Sequence, residues 1–240
     1  MPIDIAASAM ASLLEAQDET ALAAQLKKVA EGMGFEQFAL GIEINRPMLG
    51  RIRHVTNGYS PAWQRTYQER NYISIDPTIR HCREKDAPLI WAESLGGHDT
   101  TEFWAQARSH GIANGLSVPV HGRAGLSSMT SLSRDKPLNP TEHETTRALN
   151  RARVLASCAH VATIRIVAPA LLKQHKPQLS NREIECIRWV AHGKTSSEIA
   201  NKLFLAEATV TYHLNKAIRK LGAQNRAHAI ALSVALGFVD

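Results

Sequence analysis

The sequence lacks most of what would mark a secreted protein or an enzyme. Its three cysteines, Cys82, Cys158 and Cys186, stand far apart with no Cys-x-x-Cys spacing. An odd, dispersed set argues against a disulfide framework and fits a reducing cytoplasm. The eleven histidines are scattered, and no HExxH, GxSxG or Cys/His nucleophile pattern occurs. Neither catalysis nor a bound metal or cofactor is therefore expected. No apolar run approaches the length of a membrane span. The N-terminal MPIDIAASAMASLLEAQDE has no basic leader, and Glu15 breaks its apolar run, so it reads as an amphipathic helix rather than a signal peptide. Residues 1–120 also lack the acidic pair and strand-end aspartate of a phosphorylated receiver domain.

Aromatic residues are scarce, at 5% of the chain, yet Tyr59, Trp63, Tyr67 and Tyr72 fall within fourteen residues. Ser60-Pro61 predicts a helix start, with serine as N-cap and proline at the first helical position, and the helix should run to about Arg70. Trp63 and Tyr67, four residues apart, then share a face. Asp76 follows among apolar neighbours, and Pro77 holds it extended. Spacing alone favours a core aromatic stripe, with Asp76 at a turn capping backbone N–H groups.

Around that stretch the pattern is mixed. Helical periodicity runs from about Ile5 to Gly34. FEQFALGIEI and LGRIRHVTN lean towards strands across the turn Asn45-Arg46-Pro47, followed later by an extended APLIWAE and a helix through EFWAQARSHG. GLSVPVHG and LSSMTSLSR read as adjacent strands, and a long helix is expected from about Thr141 to Val167. Helices flanking a run of neighbouring strands predict an α+β domain with helices packed on an antiparallel sheet. Pro169 and KQHKPQ are the best linker signal, so domain boundaries are expected at 1–168, a linker at 169–178, and a second domain at 179–240.

The second domain is small, helical and basic. From Gln174 onward there are nine Lys+Arg against five acids, leaving +4 of the chain's total +6. Ser180 with Glu183 forms a capping box, Gly193 ends that helix, and further helices run from about Ser196 to Leu203 and from Glu207 to Leu221. Two helices joined by a tight turn, the second basic towards its end, make a helix-turn-helix pattern. The outward face of the longer helix offers Thr211, Tyr212, Asn215 and Lys216, while Lys194, Lys216 and Arg219 suit phosphates. The charge split favours DNA binding over a bundle whose charges merely solvate its face.

REIECIRWVAHGKTSSEIA, ATVTYHLNKAIRKLG and a final apolar helix closely resemble the C-terminal domain of the LuxR-type regulators. The resemblance implies a four-helix DNA-binding domain whose last helix, about Arg226–Leu236, pairs two protomers on a two-fold symmetric operator. The implied DNA-contacting set is Lys194, Thr195, Thr209, Thr211, Tyr212, His213, Asn215, Lys216 and Arg219. Two departures bear on the turn. Ala206 stands where a capping serine is usual, and Phe204 stands where glycine or asparagine makes a left-handed turn, so strain is expected there.

Tyr59, Trp63, Tyr67, Asp76, Pro77, Trp91 and Gly115 likewise match, in order and spacing, the autoinducer-binding domain of quorum-sensing LuxR-type proteins. This implies an α/β/α sandwich enclosing an N-acyl-homoserine lactone. In the family's arrangement Asp76 accepts the ligand amide N–H and the Trp63 indole donates to the lactone carbonyl. Tyr59 and Ser131 donate to the amide carbonyl, Trp91 packs on the lactone ring, and Thr78 orders a water near a 3-oxo group. Met129, Leu40, Ile42 and Ile79 are expected along the acyl tail; the faces of Glu43, Arg51 and Arg53 are left open. The whole implies a cytoplasmic regulator, a homodimer with double-stranded DNA, the lactone and RNA polymerase as partners, and no membrane; the alternative keeps the DNA-binding domain with another small molecule or none.

Overall fold

The structure, a computed structural model, describes residues 10–46, 50–91, 97, 100–123, 125–137 and 142–239. Ile5, Pro47, Thr141 and residues 92–93 of the expected elements lie outside these. The chain divides into two compact units, one ending at Leu172 and one beginning at Lys173.

The first unit is built on five strands: β1 (Gln37–Arg46), β2 (Gly50–Asn57), β3 (Leu89–Ile90), β4 (Asn114–His121) and β5 (Leu126–Arg134). They form one sheet in the order β2-β1-β5-β4-β3, with every pairing antiparallel. The expected extended APLIWAE shrinks to the two residues of β3, the edge strand. Helices α1 (Glu19–Gly32) and α5 (Glu142–Ile166) cover one face, after a helical turn at 10–15. The other face carries α2 (Pro61–Glu69), α3 (Pro77–Glu84) and α4 (Thr101–Ser109). The result is the α/β/α sandwich over an antiparallel sheet that the resemblance implied.

Strand alternation decides which residues meet which layer. Phe38, Leu40, Leu116, Val118 and Leu132 face α1 and α5, packing with Leu22, Leu26, Leu155 and Ala159. Leu40 is therefore not a tail-lining residue: it is 1% exposed inside that helix-side core, and the opposite face at its level belongs to Ala39 and Gly41. Ile42 shares Leu40's face, packing with Ile44, Ile52 and Leu171 while also bordering the cavity described below.

The stretch expected as linker is partly ordered helix, α6 (Ala168–His175), whose Ala168 and Leu171 are buried against Ile42 and Ile44. Pro169 does not interrupt it, because a proline in the first helical turn removes no intrahelical hydrogen bond.

The second unit contains α7 (Asn181–Ala191), α8 (Ser196–Leu203), α9 (Glu207–Leu221) and α10 (Arg226–Ala235). Both short helices begin with a full capping box, Ser180 with Glu183 and Thr195 with Glu198. Ile187, Ile199, Val210, Leu214, Ala217 and Leu232 form the buried interior. Glu183 is 1% exposed and accepts from the Ser180 N–H (2.7 Å) and from Lys220 Nζ (2.7 Å). Burial opposes its ionisation, but the Lys220 ammonium and the Ser180 N–H outweigh that and hold the carboxyl below its ordinary range.

Lys220→Met should therefore destabilise this unit by about 1–3 kcal/mol at neutral pH, the usual cost of stranding a buried acceptor. Glu183 is an acid with a depressed folded pKa, so the stability it contributes is present above its unfolded value and lost as pH falls through the folded one. The gap between wild type and variant in denaturant unfolding should accordingly close in acid.

The turn between α8 and α9 carries the expected strain. Phe204 adopts φ 56°, ψ 46° and is 95% exposed, and Ala206 offers no side-chain cap to α9. Phe204→Gly and Ala206→Ser should each stabilise the unit by about 1 kcal/mol, measurable by hydrogen exchange in α9. No loss of structure is expected from either.

Candidate functional site

The aromatic cluster is assembled by α2 and α4 with the short 3-10 turn Tyr72–Ser74 between them. The Ser60 hydroxyl accepts the Trp63 N–H (3.2 Å), starting α2 as its Ser-Pro pair predicts. Trp63, 3% exposed, meets Tyr67 edge-on at 5.7 Å and lies 6.0 Å from Phe103. Phe103 in turn packs edge-on against Tyr72 at 5.3 Å and Trp104 at 4.9 Å. Between this cluster and the sheet face turned away from α1 and α5 lies a cavity of about 640 Å³. Tyr59, Trp63, Tyr67, Asp76, Thr78, Ile79, Trp91, Met129 and Ser131 all line it.

Asp76 is the N-cap of α3 and 8% exposed. Its Oδ1 accepts from the Thr78 N–H (2.8 Å) and the Thr78 hydroxyl (2.7 Å), and its Oδ2 accepts from the Tyr67 hydroxyl (2.8 Å). Capping, the bland expectation for this residue, is thus real. It does not exhaust the carboxylate, which offers about four lone-pair sites. The Ile79 N–H adds a weaker contact, but Oδ2 takes only the Tyr67 hydroxyl in hydrogen-bonding geometry, on a residue that lines the cavity. Burial is the largest influence on Asp76 and raises its pKa despite the donors from Thr78 and Tyr67. The same burial, with Asp76 beside it, raises the Tyr67 phenol.

A second polar strip crosses the sheet. The Trp91 indole N–H donates to Ser117 Oγ (2.9 Å), and Ser117 shares a hydrogen bond with Ser131 (2.8 Å), its cross-strand partner. If Ser117 donates onward, the Ser131 hydroxyl hydrogen is free for the cavity. Gly115 makes room for Trp91: a Cβ there would fall 2.7 Å from the indole and 2.4 Å from the Leu132 carbonyl. The Tyr59 phenol is buried, which raises its pKa, and stands near Ser133 without reaching hydrogen-bonding geometry. Among the described residues the Trp63 indole N–H has no protein acceptor. The site therefore presents an acceptor at Asp76 and donors at Trp63, Tyr59 and Ser131.

Sequence reasoning missed Ser117, Phe103 and Trp104, and left open Glu43 and Arg53, which turn out to line the cavity. The Phe-Trp pair in EFWAQARSHG was a usable signal in a chain with so few aromatics. Ser117 carried none, being one serine in an apolar strand.

In the second unit, α9 buries Val210, Leu214, Ala217 and Leu221. Tyr212, Asn215 and Arg219 are exposed at helical spacing on its outer side, with Thr209, Thr211, His213 and Lys216 half-buried beside them. Lys216 Nζ lies 5.6 Å from the Tyr212 ring centre. Thr195 is first a cap: its hydroxyl accepts the Glu198 N–H (3.3 Å), and Lys194 pairs with Glu198 (3.4 Å).

A small-molecule cavity on one unit and a helix-turn-helix on the other define a ligand-responsive DNA-binding regulator. Residues 18–163 match the family model described as the autoinducer binding domain, and residues 177–233 match that of the bacterial regulatory proteins of the luxR family. The chain belongs to the LuxR-type quorum-sensing regulators. It is 30% identical to the transcriptional activator protein AnoR of Acinetobacter nosocomialis, over 96% of this chain and 97% of that one. It is also 30% identical to the quorum-sensing regulator RhlR of Pseudomonas aeruginosa, over 92% and 91%. In fold it resembles Escherichia coli SdiA, with a TM-score of 0.66 at 22% identity over 99% of both chains. The lactone-dependent regulator CepR2 of Burkholderia cenocepacia gives 0.61 at 24% identity, over 69% of this chain and 98% of that one.

Proposed function

We propose that this regulator senses an N-acyl-homoserine lactone and, with lactone bound, pairs as a dimer on a two-fold symmetric operator. The observation that carries the reading is Asp76 Oδ2, which takes only the Tyr67 hydroxyl and faces a cavity where Trp63, Tyr59 and Ser131 offer donors. An acyl-homoserine lactone has one amide N–H and two or three carbonyls, which is the complement of that set. The amide N–H goes to Asp76, the lactone carbonyl to Trp63, and the amide carbonyl to Tyr59 and Ser131. Trp91, already anchored through Ser117, borders the lactone ring, and Thr78, committed to Asp76, holds the carboxylate in place. Met129, Ile79 and Gly41 then form the wall along the acyl chain.

Filling the cavity satisfies its polar groups and stabilises the folded chain by mass action. On the DNA side, Asn215, Thr211, Tyr212 and His213 face base edges, while Lys194, Thr195, Thr209, Lys216 and Arg219 face phosphates. A cytoplasmic location and recruitment of RNA polymerase follow from that role.

The test is a thermal-shift series across acyl-homoserine lactones of graded chain length, with octanoyl-rac-glycerol, the ligand in one SdiA structure, as a compound lacking the amide. A ligand at a hundred times its Kd stabilises by about 2.7 kcal/mol, enough to shift melting by several degrees. Lactones should raise the melting temperature with an optimum in length, and the acylglycerol should act weakly. A flat response to every lactone would contradict the proposal.

A further inference from the structure

The cavity floor is ordered in rows. Strand register places Asn57, Ala39 and Ser131 side by side, then Val55, Gly41 and Met129, then Arg53, Glu43 and Ser127. All nine line the cavity. The first row is the polar head-group end and the second is apolar. The third lies four residues further along the strands, about 13 Å away. The helix above tells the same story. Asp76 caps the start of α3 and Arg83 stands near its end, about 10 Å along the axis. Arg83 reaches down to the third row, donating to Glu43 Oε2 at 2.9 Å, while Arg53 Nε donates to the same oxygen at 2.7 Å.

This far end is charged, and its charges are unevenly matched. One carboxylate faces two guanidiniums, with Arg51 a third at 3.9 Å. The Glu43 side chain is 17% exposed, against 39% for Arg53 and 34% for Arg83. Burial opposes the ionisation of Glu43, but the arginines outweigh it and hold the carboxyl below its ordinary range, so it stays ionised. Each guanidinium carries five N–H donors in a planar fork, and Glu43 takes one from each. A methyl-ended chain reaching this row would strip water from the charges and return nothing. An oxygen-bearing terminus would accept the spare donors, and a carboxylate could do so in bidentate fashion.

We propose that the Arg53–Glu43–Arg83 cluster is a second recognition site in the cavity, selecting an acyl group whose far end carries an oxygen acceptor rather than a methyl. It rests on the lactone reading above and extends it to the substituent at the chain's far end. The Ser127 hydroxyl, next in the same row, adds a donor there.

The experiment compares homoserine lactones of matched chain length ending in methyl, hydroxyl or carboxylate, by thermal shift of the full chain titrated with each. Wild type should bind the carboxylate-ended compound at least tenfold more tightly than its methyl twin, with the hydroxyl between, at chain lengths that span the cavity. Arg53→Met with Arg83→Met should erase that ranking while keeping the affinity for short methyl-ended lactones. Glu43→Gln, which removes the competing carboxylate, should widen it. Methyl-ended lactones binding as tightly as their oxygen-ended twins at every length would overturn the site and leave lactone sensing intact. Failure of all the lactones, short methyl-ended ones included, would instead overturn the lactone reading and this site with it.

Discussion

Asp76→Asn should abolish the lactone response while leaving the ligand-free protein at least as stable as wild type at neutral pH. The two effects have opposite signs because the carboxylate is a liability without ligand and an asset with it. Burial raises the Asp76 pKa. An acid whose folded pKa is raised contributes stability that is present below its unfolded value and lost as pH rises through the folded one. Ligand-free wild type should therefore weaken from the acid side upward through that window, relative to the asparagine variant, which has no charge to bury. With ligand the balance reverses. The two Thr78 donors keep an oxygen at the Oδ1 position, so asparagine turns its NH2 towards the cavity. That NH2 meets the ligand amide N–H donor to donor. Losing a hydrogen bond to a charged acceptor costs about 1.5–3 kcal/mol, a tenfold to hundredfold drop in affinity before the repulsion is counted. Paired melting curves with and without lactone, across pH, measure both halves. A variant that is less stable empty, yet binds normally, would reduce Asp76 to a helix cap.

Asn215→Ala and Lys216→Ala should fail differently on DNA. Asn215 is exposed on the outer side of α9, and its amide can pair with a base edge in two hydrogen bonds. Its loss should cost about 1–3 kcal/mol on the cognate operator and little on mismatched sites, so discrimination collapses while non-specific affinity survives. Lys216 reaches a phosphate in this reading, and a phosphate contact carries no sequence information. Its loss should weaken binding to all sequences and reduce the slope of log affinity against log salt by about 0.9 per subunit. Fluorescence anisotropy on cognate and scrambled duplexes over a salt series separates the two. Uniform weakening by Asn215→Ala would make it a backbone contact.

Much of this architecture was readable from local chemistry. Ser60-Pro61 and Ser180 with Glu183 each start a helix where their cap geometry requires, and Gly193 follows the end of α7 at φ 76°. The strain at Phe204 followed from placing a bulky residue at a left-handed turn. What alternation alone could not supply was the face. Leu40 and Ala39 both look apolar, and only the pairing of β1 with β5 shows that Leu40 belongs to the helix-side core. The same ambiguity left the faces of Glu43 and Arg53 open until the register put them on the cavity floor. Ser117 was illegible for another reason: its role is a hydrogen bond to Trp91, twenty-six residues away in sequence. Pro169 reads as a break in the sequence, although the first turn of a helix tolerates it and α6 runs through it.

Changing one atom of the ligand isolates the contact proposed for Asp76. An acyl-homoserine lactone and its analogue with the amide N–H replaced by an ester oxygen have the same shape and tail. They differ in the one donor that Asp76 Oδ2 is proposed to accept. Calorimetric titration of wild type should give the amide at least tenfold tighter, with the difference lost in Asp76→Asn. Equal affinity for amide and ester in wild type would contradict the account.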